Sequence, residues 1–349
     1  MKIAVLHSQI LQGATRDEQD IMVQVEAVSQ ALGSLGFEPV IIPFSPDLEL
    51  TVNALLGSKP DLVFNLVETV IGSGRFVHLA PTILDYLKIP YTGSRTEAIF
   101  LTSNKLLAKK ILKPLGIPTP KWISLESTTE EDPVDGDLED YKPVSSDPHI
   151  IKSVWEHASI GLDEGSVITA DTRHTDRLRY LRQEMEHRKE RDGQDCFAEI
   201  YIEGREFNLS LLASDNGPRP QVLPPAEIRF EDYPSGKFKI VDYRAKWDED
   251  SFEYRHTSRC FEFPDEDRPL LKQLAELAKK CWYIFKLAGY ARVDFRVDQA
   301  GKPWVLEINA NPCLSPDSGF AAAAKQTGLS FEQLIQRIIN DSWASRSPS

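Results

Sequence analysis

A cluster of charged and amide side chains lies on two neighbouring predicted strands. Arg292 and Asp294 share one face of the first strand, because successive side chains alternate across a strand. Glu307 and Asn309 share one face of the second strand for the same reason. The short segment between the strands is typical of a hairpin turn, and a turn centred between residues 300 and 301 places Asp294 opposite Glu307. The sequence therefore predicts two carboxylates that face each other across a hairpin.

Facing carboxylates repel each other, and a divalent cation between them would remove that repulsion. Asp294, Glu307 and the side-chain carbonyl of Asn309 are hard oxygen ligands, which suit Mg²⁺ bound together with substrate phosphates. Arg292 would add a fixed positive charge beside such a site. The spacing fits equally well a solvated hairpin face on which an arginine and a glutamate pair, so the hairpin alone leaves both interpretations open.

The segment that follows Lys152 could also take part in chemistry. It begins at the end of a predicted strand and runs through Ser159 to Gly161. Glycine allows close approach of the backbone, and a lysine with nearby hydroxyls suits a nucleotide phosphate. The segment is not a Walker loop, which needs Gly-Lys-Ser/Thr, and residues 72–74 lack the third glycine of a Rossmann fingerprint. Taken alone, each segment is more typical of an ordinary turn.

The stretch 199–206 connects two predicted strands and carries acidic residues at its edges. Its backbone groups could bind a nucleobase, and its carboxylates could bind an amino group or ribose hydroxyls. A solvated hinge between domains explains the same spacing, and the alternatives stay open at this point.

Elements that would position these groups follow from the pattern of apolar residues and turn signals. Strands are predicted at 3–6, 40–42, 61–66, 122–125, 149–154, 197–202, 205–212, 291–297 and 304–309. Helices are predicted at 17–35, 77–87, 104–115, 173–191, 269–287 and 330–339, with Ser103 as the cap of the third and a capping box from Ser330 to Gln333 in the last. Strands that alternate with helices predict an α/β fold.

The chain has 349 residues, of which 41% are hydrophobic and 27% charged, as is typical of a folded protein with two or three domains. The formal net charge is −13, and the segment 126–149, with nine acidic residues and one lysine, supplies −8 of it. This segment has no apolar periodicity and is predicted to be an exposed loop. The acidic balance disfavours nucleic acid and acidic lipid as partners.

Four cysteines lie far apart, without the spacing of a zinc site or a disulfide framework: Cys196, Cys260, Cys281 and Cys313. They are expected to be reduced thiols. No stretch approaches the roughly 18 apolar residues that span a bilayer, and the first residues lack the apolar run of a signal peptide. These features predict a cytoplasmic protein without membrane spans.

The order of several short motifs resembles the ATP-grasp superfamily and, within it, the D-alanine–D-alanine ligase-like group. The motifs are 90–94 (PYTGS), 104–106 (NKL), 116–120 (GIPTP), 151–152 (IK), 158–161 (ASIG), 203–206 (EGRE), 291–294 (ARVD) and 306–312 (LEINANP). The resemblance covers nearly the whole chain. It implies a three-domain architecture: 1–95 as an open α/β sheet on the substrate side, 96–203 as a central domain with the acidic loop, and 204–349 as a C-terminal domain. The last two form the ATP-grasp part, for which the resemblance implies an α+β arrangement.

The resemblance also implies how ATP would bind between the last two domains. Lys105 and Lys152 would hold phosphates, and Glu199 would contact the adenine amino group. The backbone of residues Tyr201 and Ile202 would contact the base edge, and Glu206 the ribose hydroxyls. Asp294, Glu307 and Asn309 would bind a pair of Mg²⁺ ions, or Mn²⁺ in their place.

Three residues would act on the reacting groups if the resemblance holds. Arg292 would stabilise the negative tetrahedral intermediate. Lys246 matches the phosphate-contacting lysine of a lid, here the segment 231–255, whose closure would exclude water from an acyl phosphate. Ser159 belongs to the glycine-rich loop. The first serine of that loop in the family matches Ala158 here, and the tyrosine after the lid lysine matches Trp247, so the family's serine–tyrosine hydrogen bond cannot form.

The predicted substrate pocket departs from the D-alanine ligases. Where they carry a His-Gly turn and a Gly-Glu-Asp-Gly run, residues 67–75 read VETVIGSGR. Glu68 and Arg75 are therefore expected to contact the substrate. Glu68 would bind an ammonium group of the substrate, and Arg75 would bind a carboxylate of the substrate. Ser318 is expected to be a third contact.

The activity that the resemblance implies is ATP-dependent ligation of a carboxylate to an amine through an acyl phosphate. Synthesis of D-alanyl-D-alanine is one case, and ligation of another amino acid, a dipeptide or a specialised metabolite is an alternative. A nucleotide-binding regulatory module without turnover is a further alternative, which the retained lysines and carboxylates disfavour. Small molecules would be the substrates, and the resemblance suggests a homodimer.

Overall fold

The computed structural model describes residues 1–10, 16–125, 147–156, 159, 161–169, 177–214 and 217–344. Within these ranges the chain forms three β-sheets with helices packed against them. Most of the acidic segment predicted as a loop, residues 126–146, lies outside the described residues.

The first sheet is parallel and has the order β2-β1-β3. Its elements in chain order are β1 (Lys2–Ser8), α1 (Arg16–Ser34), β2 (Glu38–Phe44), α2 (Leu48–Ser58), β3 (Leu62–Leu66) and α3 (Leu79–Leu87). The βαβ opening predicted from the sequence is confirmed. Helix α2 was not predicted, because Leu50 and Leu56 are exposed while Leu55 is buried, so its leucines give no clear helical stripe.

Two short helices, α4 (Thr96–Ser103) and α5 (Lys105–Leu112), follow the first sheet. The cap of the second is Asn104, whose side chain accepts a hydrogen bond from the backbone nitrogen of Leu107 at 2.9 Å. The prediction of Ser103 as cap was wrong, because Ser103 ends α4 and its hydroxyl donates to the Ile99 carbonyl at 2.7 Å. The helix also ends before residue 115, since Pro114 belongs to a 3-10 turn that Gly116 closes.

The second sheet is antiparallel and has the order β4-β7-β5-β6. Its elements are β4 (Trp122–Ser124), β5 (His149–Ser153), β6 (Val167–Ile168), α6 (Arg177–Asp192) and β7 (Cys196–Ile200). Leu181 and Met185 of the helix pack on Ile123, Ile151 and Ala198 of the sheet. This packing fixes the strands that carry Lys152 and Glu199.

The third sheet is antiparallel, with the order β11-β10-β8-β12-β13 and with β9 paired to β8. Its elements are β8 (Gly204–Ser214), β9 (Gly217–Val222), β10 (Ala226–Phe230), α7 (Tyr243–Trp247), α8 (Phe252–Arg255), β11 (Thr257–Cys260), α9 (Arg268–Ile284), β12 (Tyr290–Asp298), β13 (Pro303–Asn309), α10 (Gly319–Lys325) and α11 (Phe331–Ala344). The capping box of the last helix is confirmed: Ser330 and Gln333 exchange hydrogen bonds of 2.8 and 3.2 Å. The segment 231–255, predicted as a loop, contains α7 and α8.

The hairpin of β12 and β13 has the predicted pairing at its functional end, where Asp294 lies opposite Glu307. The register shifts after Asp294, because Phe295 pairs with Val305 and Leu306 forms a bulge. The turn is therefore centred on Ala300, half a residue from the position between residues 300 and 301 that the sequence suggested. A bulge adds one residue to a strand and redirects its side chains, which a count of residues cannot reveal.

Each sheet falls inside one of the three predicted spans, but the hydrophobic cores cross the boundaries. Ala108 and Leu112 of α5 pack with Phe207 and Phe295 of the third sheet. Similarly, Val25 of α1 belongs to the same core as residues of α10 and α11. The division into domains at 95 and 203 stays a prediction.

The four cysteines are free thiols, as predicted. None of the helices in the described part of the chain is both long and apolar enough to cross a bilayer.

A tight backbone contact at Gly204 joins the neighbouring strands β8 and β12 of the third sheet. Gly204 has φ of 147°, and a Cβ atom there would lie 2.0 Å from the carbonyl oxygen of Val297. We expect Gly204→Ala to lower the free energy of unfolding by about 2 kcal/mol or more, because backbone strain adds to the clash. Urea denaturation measures the change.

Gly33→Ala is the matched control, since no atom lies within 4 Å of a Cβ at this helical position. Alanine favours a helix over glycine, so this variant should be unchanged or slightly more stable. Equal stability of Gly204→Ala and the wild type would contradict the role given to the contact.

Candidate active site

One cavity of about 730 Å³ lies among the three sheets and collects nearly all the side chains singled out from the sequence. The predicted residues that line it are Glu68, Lys105, Lys152, Ser159, Glu199, Tyr201, Ile202, Glu206, Lys246, Arg292, Asp294, Glu307, Asn309 and Ser318. Arg75 is not among the lining residues. A cavity of this size, with converging polar groups, is typical of a ligand site.

Two lysines predicted to hold phosphates both line the cavity. Lys105, the first residue of α5, donates to the backbone carbonyl of Glu156 and lies 4.0 Å from the carboxylate of Glu307. Lys152, near the end of β5, donates to Glu199 at 2.6 Å. Both ammonium groups are therefore held in place by oxygen atoms and are directed to the cavity.

Glu199 is the most enclosed acid of the site, with 1% of its side chain exposed. One carboxylate oxygen pairs with Lys152 at 2.6 Å, and the other pairs with Lys109 at 2.6 Å. Burial alone would raise the pKa of Glu199, but the two lysine charges outweigh it and lower the pKa. The acid is ionised at neutral pH. Its contact with an adenine amino group stays a prediction.

The hairpin of β12 and β13 places charges of both signs at the cavity floor. Arg292 donates to both carboxylate oxygens of Asp294, at 2.7 and 2.8 Å, and Asn208 donates to the first of them at 2.8 Å. Burial lowers the pKa of Arg292, but the Asp294 carboxylate more than offsets this and the pKa is raised. Asn309 accepts a hydrogen bond from the backbone of Asn311 at 2.9 Å, which fixes its amide. The solvated hairpin face considered above is excluded, because the Arg292 side chain is mostly buried.

The donor set of this floor suits a hard divalent cation. Asp294 and Glu307 supply carboxylates from directly opposed positions, and Asn309 supplies an amide oxygen. Within the described ranges, no group of three or more histidine, cysteine, aspartate and glutamate side chains could hold a metal by itself. Two carboxylates and an amide match the kind of Mg²⁺ site that takes its remaining ligands from phosphates and water.

Residues after β7 form the side of the cavity assigned to a nucleoside. The hydroxyl of Tyr201 donates to the Lys239 carbonyl at 3.2 Å, and Ile202 lies next to it in the cavity wall. Glu206 pairs with Arg296 at 3.0 Å. Backbone groups, an aromatic ring and one acid therefore lie together here, as the resemblance implies for base and ribose.

The segment 231–255 covers the cavity and is tied to the second sheet. Ser159, with φ of 64°, donates through its hydroxyl to the carbonyl of Val241 at 2.6 Å. Lys237 pairs with Glu253 at 2.8 Å and also pairs with Glu164. Lys246 projects from α7 into the cavity, where burial and the charge of Arg292 lower its pKa. Ala158 lies outside the described residues.

An acidic wall also lines the cavity. Asp20 of α1 accepts hydrogen bonds from Ser315 at 3.0 Å and from the Cys313 thiol at 3.3 Å. Glu68 accepts one from Gln24 at 2.8 Å, and all these residues except Gln24 line the cavity. Burial and the charges of Glu68 and Asp20 raise the pKa of Cys313 well above its usual value, so this thiol stays neutral.

The structure separates the three predicted substrate contacts. Glu68 reaches the cavity, whereas Arg75 is 57% exposed, pairs with Asp195 at 3.9 Å and lies over the ring of Trp155. Ser318 lines the cavity, but its hydroxyl also caps α10 by accepting from the Ala321 backbone at 3.2 Å.

Several site residues escaped sequence reasoning. Arg296 continues the alternation of Arg292 and Asp294, so the strand period could have found it. Asn208 follows Glu206 by two residues but becomes informative only when β8 is known to lie beside β12. Asp20 gave no signal, because an acidic residue near a helix start is ordinary.

Comparisons with known proteins show which family the chain belongs to. The family model described as "D-ala D-ala ligase C-terminus" matches residues 111–340. The D-alanine–D-alanine ligase of Aquifex aeolicus (strain VF5) is 30% identical over 331 residues, which cover 95% of this chain and 98% of the relative. The chain belongs to the D-alanine–D-alanine ligase family. A further member, the ligase of Moorella thermoacetica, is 30% identical over 348 residues and covers 97% of this chain and 98% of its own.

Solved structures of this ligase family share the fold. The Bacillus anthracis D-alanine–D-alanine ligase complexed with ATP has a TM-score of 0.69 and 22% identity, covering 99% of this chain and 98% of its own. Another structure from the same organism gives 0.71 and 23% with the same coverage. The predicted resemblance and the α/β, ATP-grasp fold class are confirmed.

The bond from Ser159 to Val241 predicts how firmly the covering segment is held in this ligase. We expect Ser159→Gly, which tolerates the left-handed backbone but lacks the hydroxyl, to raise the rate of tryptic cleavage at Lys237 and Lys239. A hydrogen bond contributes about 1 kcal/mol, so the rate should rise roughly fivefold. Mass spectrometry of timed digests measures it.

Ser330→Gly is the control, because Ser330 caps a distant helix. It should leave cleavage in 231–255 unchanged. If both serine variants are cut in that segment at the wild-type rate, the bond does not hold the segment.

Proposed function

We propose that this protein ligates the carboxylate of one amino acid to the amine of a second at the expense of ATP, with D-alanine as the substrate in both positions. The observation that carries the proposal is the meeting, in one cavity, of two lysines, two opposed carboxylates and Arg292. These groups serve phosphoryl transfer and stabilisation of a tetrahedral intermediate. The named relatives of similar length, at 30% identity, support the choice of substrate.

ATP would lie between the second and third sheets. Lys105 and Lys152 would neutralise phosphate oxygens, while Tyr201, Ile202 and Glu206 would bind the base and ribose. The ammonium of Lys246, enclosed in the cavity, would approach the transferred phosphate from the covering segment. Because these charges are already in place, little reorganisation is needed when charge develops in the reaction.

The metal site would use Asp294, Glu307 and Asn309, whose oxygens fit Mg²⁺. When bound, the cation would neutralise phosphate oxygens and polarise the transferred phosphorus. Arg292 holds Asp294 in orientation through two hydrogen bonds. The side-chain nitrogen of Lys105 lies 4.0 Å from a carboxylate oxygen of Glu307 and would balance part of the negative charge of the floor.

Ligation would then proceed in two steps. A carboxylate oxygen of the first amino acid attacks the γ-phosphorus, and the bond from that phosphorus to the bridging oxygen breaks. The products of this step are ADP and an acyl phosphate. The deprotonated amine of the second amino acid attacks the acyl carbon, phosphate leaves as the tetrahedral intermediate collapses, and the nitrogen gives up one proton to the departing phosphate. Arg292 would stabilise the negative oxygen of that intermediate, and the segment 231–255 would exclude water from the acyl phosphate.

Glu307 provides a direct test of the metal site. We expect Glu307→Gln to lower kcat for ADP release with D-alanine and Mg²⁺ by about 100-fold or more, because a neutral amide cannot replace the carboxylate in charge balance. The Mg²⁺ concentration for half-maximal activity should also rise. A coupled ADP assay over a Mg²⁺ titration measures both.

Glu276→Gln, on the exposed face of α9, should match the wild type in that assay. Survival of most activity in Glu307→Gln would remove Glu307 from the proposed metal site. Absence of turnover in the wild type with every amino-acid pair would instead favour a nucleotide-binding module without catalysis.

A second candidate function follows from the acidic wall. The Asp20 carboxylate is bonded by neutral donors, and no lysine, arginine or histidine of the described ranges pairs with it. This wall would suit an amino acid with a cationic side chain better than it suits alanine. The protein would then be a ligase for a different amino acid within the same reaction class.

Asp20→Asn separates the two candidates. If the substrate is cationic, the variant should lower kcat/KM for D-lysine at least about tenfold relative to D-alanine, because one charge pair is lost. Steady-state ADP release with each amino acid measures the ratio, and Glu26→Gln on the same helix is the control. A wild type that does not use D-lysine would eliminate this candidate.

The proposal includes two further properties, the oligomeric state and the location in the cell. The family resemblance suggests a homodimer, which gel filtration with light scattering would test. The cysteine pattern and the absence of long apolar stretches favour the cytoplasm as its location.

A further inference from the structure

A buried lysine that no step above uses lies behind the proposed nucleotide site. Lys109 of α5 is 2% exposed, does not line the cavity, and has its ammonium group between three oxygen acceptors. These are the carboxylate of Glu199 at 2.6 Å, the hydroxyl of Thr119 at 2.8 Å and the carbonyl of Pro120 at 3.0 Å. The rings of Trp122 and Phe197 lie 5.4 and 6.0 Å from its nitrogen. The lysine is therefore fixed on all sides.

Glu199 thus has two lysine partners, whose ammonium groups differ in their freedom to move. Lys152 lines the cavity and is 15% exposed, so its ammonium can turn to a phosphate oxygen. Lys109 is enclosed by protein and cannot leave. Both are 2.6 Å from a carboxylate oxygen of Glu199.

A buried carboxylate is strongly destabilised when its counter-charge is removed. If Glu199 had Lys152 as its single partner, each phosphate that recruited Lys152 would leave the acid uncompensated. A second, permanent counter-charge removes this conflict. The phosphate lysine can then exchange between Glu199 and the nucleotide without exposing a bare buried charge.

We propose that Lys109 is a positioning residue that keeps Glu199 compensated, so that Lys152 is released to bind the nucleotide phosphates. The inference rests on the proposed function insofar as Lys152 binds phosphate. It adds a role for a residue that touches neither nucleotide nor substrate. Its signature is a loss of affinity that depends on the phosphates and not on the base.

The test compares the affinities of ADP and adenosine, measured by calorimetry on the full-length protein. In Lys109→Met the ratio of the adenosine Kd to the ADP Kd should fall at least tenfold. Only ADP has phosphates that bind Lys152, and this binding would separate Lys152 from Glu199. Binding is measured without amino acids, so the result does not depend on which substrates are ligated. Loss of ligation with intact ADP binding would count against the proposed function and leave this inference standing.

Two variants show whether charge is the cause. Lys109→Arg keeps the charge and should keep the ratio within about threefold of the wild type. Lys109→Met combined with Glu199→Gln removes both charges and should restore the ratio, because Lys152 then leaves a neutral amide. Taking the ratio cancels any change in base binding that the Glu199 substitution causes.

Lys110→Met, an exposed neighbour on α5, is the matched control and should behave as the wild type. Where Lys109→Met does not fold, Lys109→Gln replaces it with the same expected fall in ratio. Equal weakening of ADP and adenosine would show that Lys109 only supports the structure, and it would overturn the proposal. A ratio that falls but is not restored in the double variant would overturn it as well.

Discussion

Ionised groups removed from water need opposite charges within a few ångströms, and this constraint shapes the cavity of the ligase more than any other. Three acids on its walls are paired with cationic side chains: Asp294 with Arg292, Glu206 with Arg296, and Glu199 with two lysines. The pairs hold their members in fixed orientations. An electrostatic site of this kind is built during folding, so binding does not have to organise it.

The constraint is met by strand geometry. Residues two apart on a strand share a face, and β8 lies beside β12, so Asn208 reaches Asp294 and Glu206 reaches Arg296 across the sheet. The second sheet presents Lys152 and Glu199 from adjacent antiparallel strands. Two sheets therefore turn charged faces to one cavity while their other faces carry the hydrophobic cores.

Much of this could be predicted from the sequence where the information is local. The strand period puts Arg292 and Asp294 on one face and Glu307 and Asn309 on one face, and capping patterns locate the last helix. What could not be predicted depends on contacts between distant segments. Asp20 reaches the cavity because α1 packs beside α11 in a shared core, and Lys109 meets Glu199 because α5 lies against β7. Arg75 illustrates the reverse error, since neighbours in sequence such as Glu68 need not face the same cavity.

The bulge at Leu306 decides which residues of the hairpin lie opposite each other. Pairing near the turn, continued without the bulge, would set Glu307 beside Val293 on the core face and Asp294 beside Leu306. The two carboxylates thus lie opposite each other because one apolar residue, Leu306, forms the bulge. A homologue could keep every charged residue of the hairpin and still lack the site if it were one residue shorter here. In this hairpin, the number of residues in each strand matters as much for the site as the identity of its charged residues.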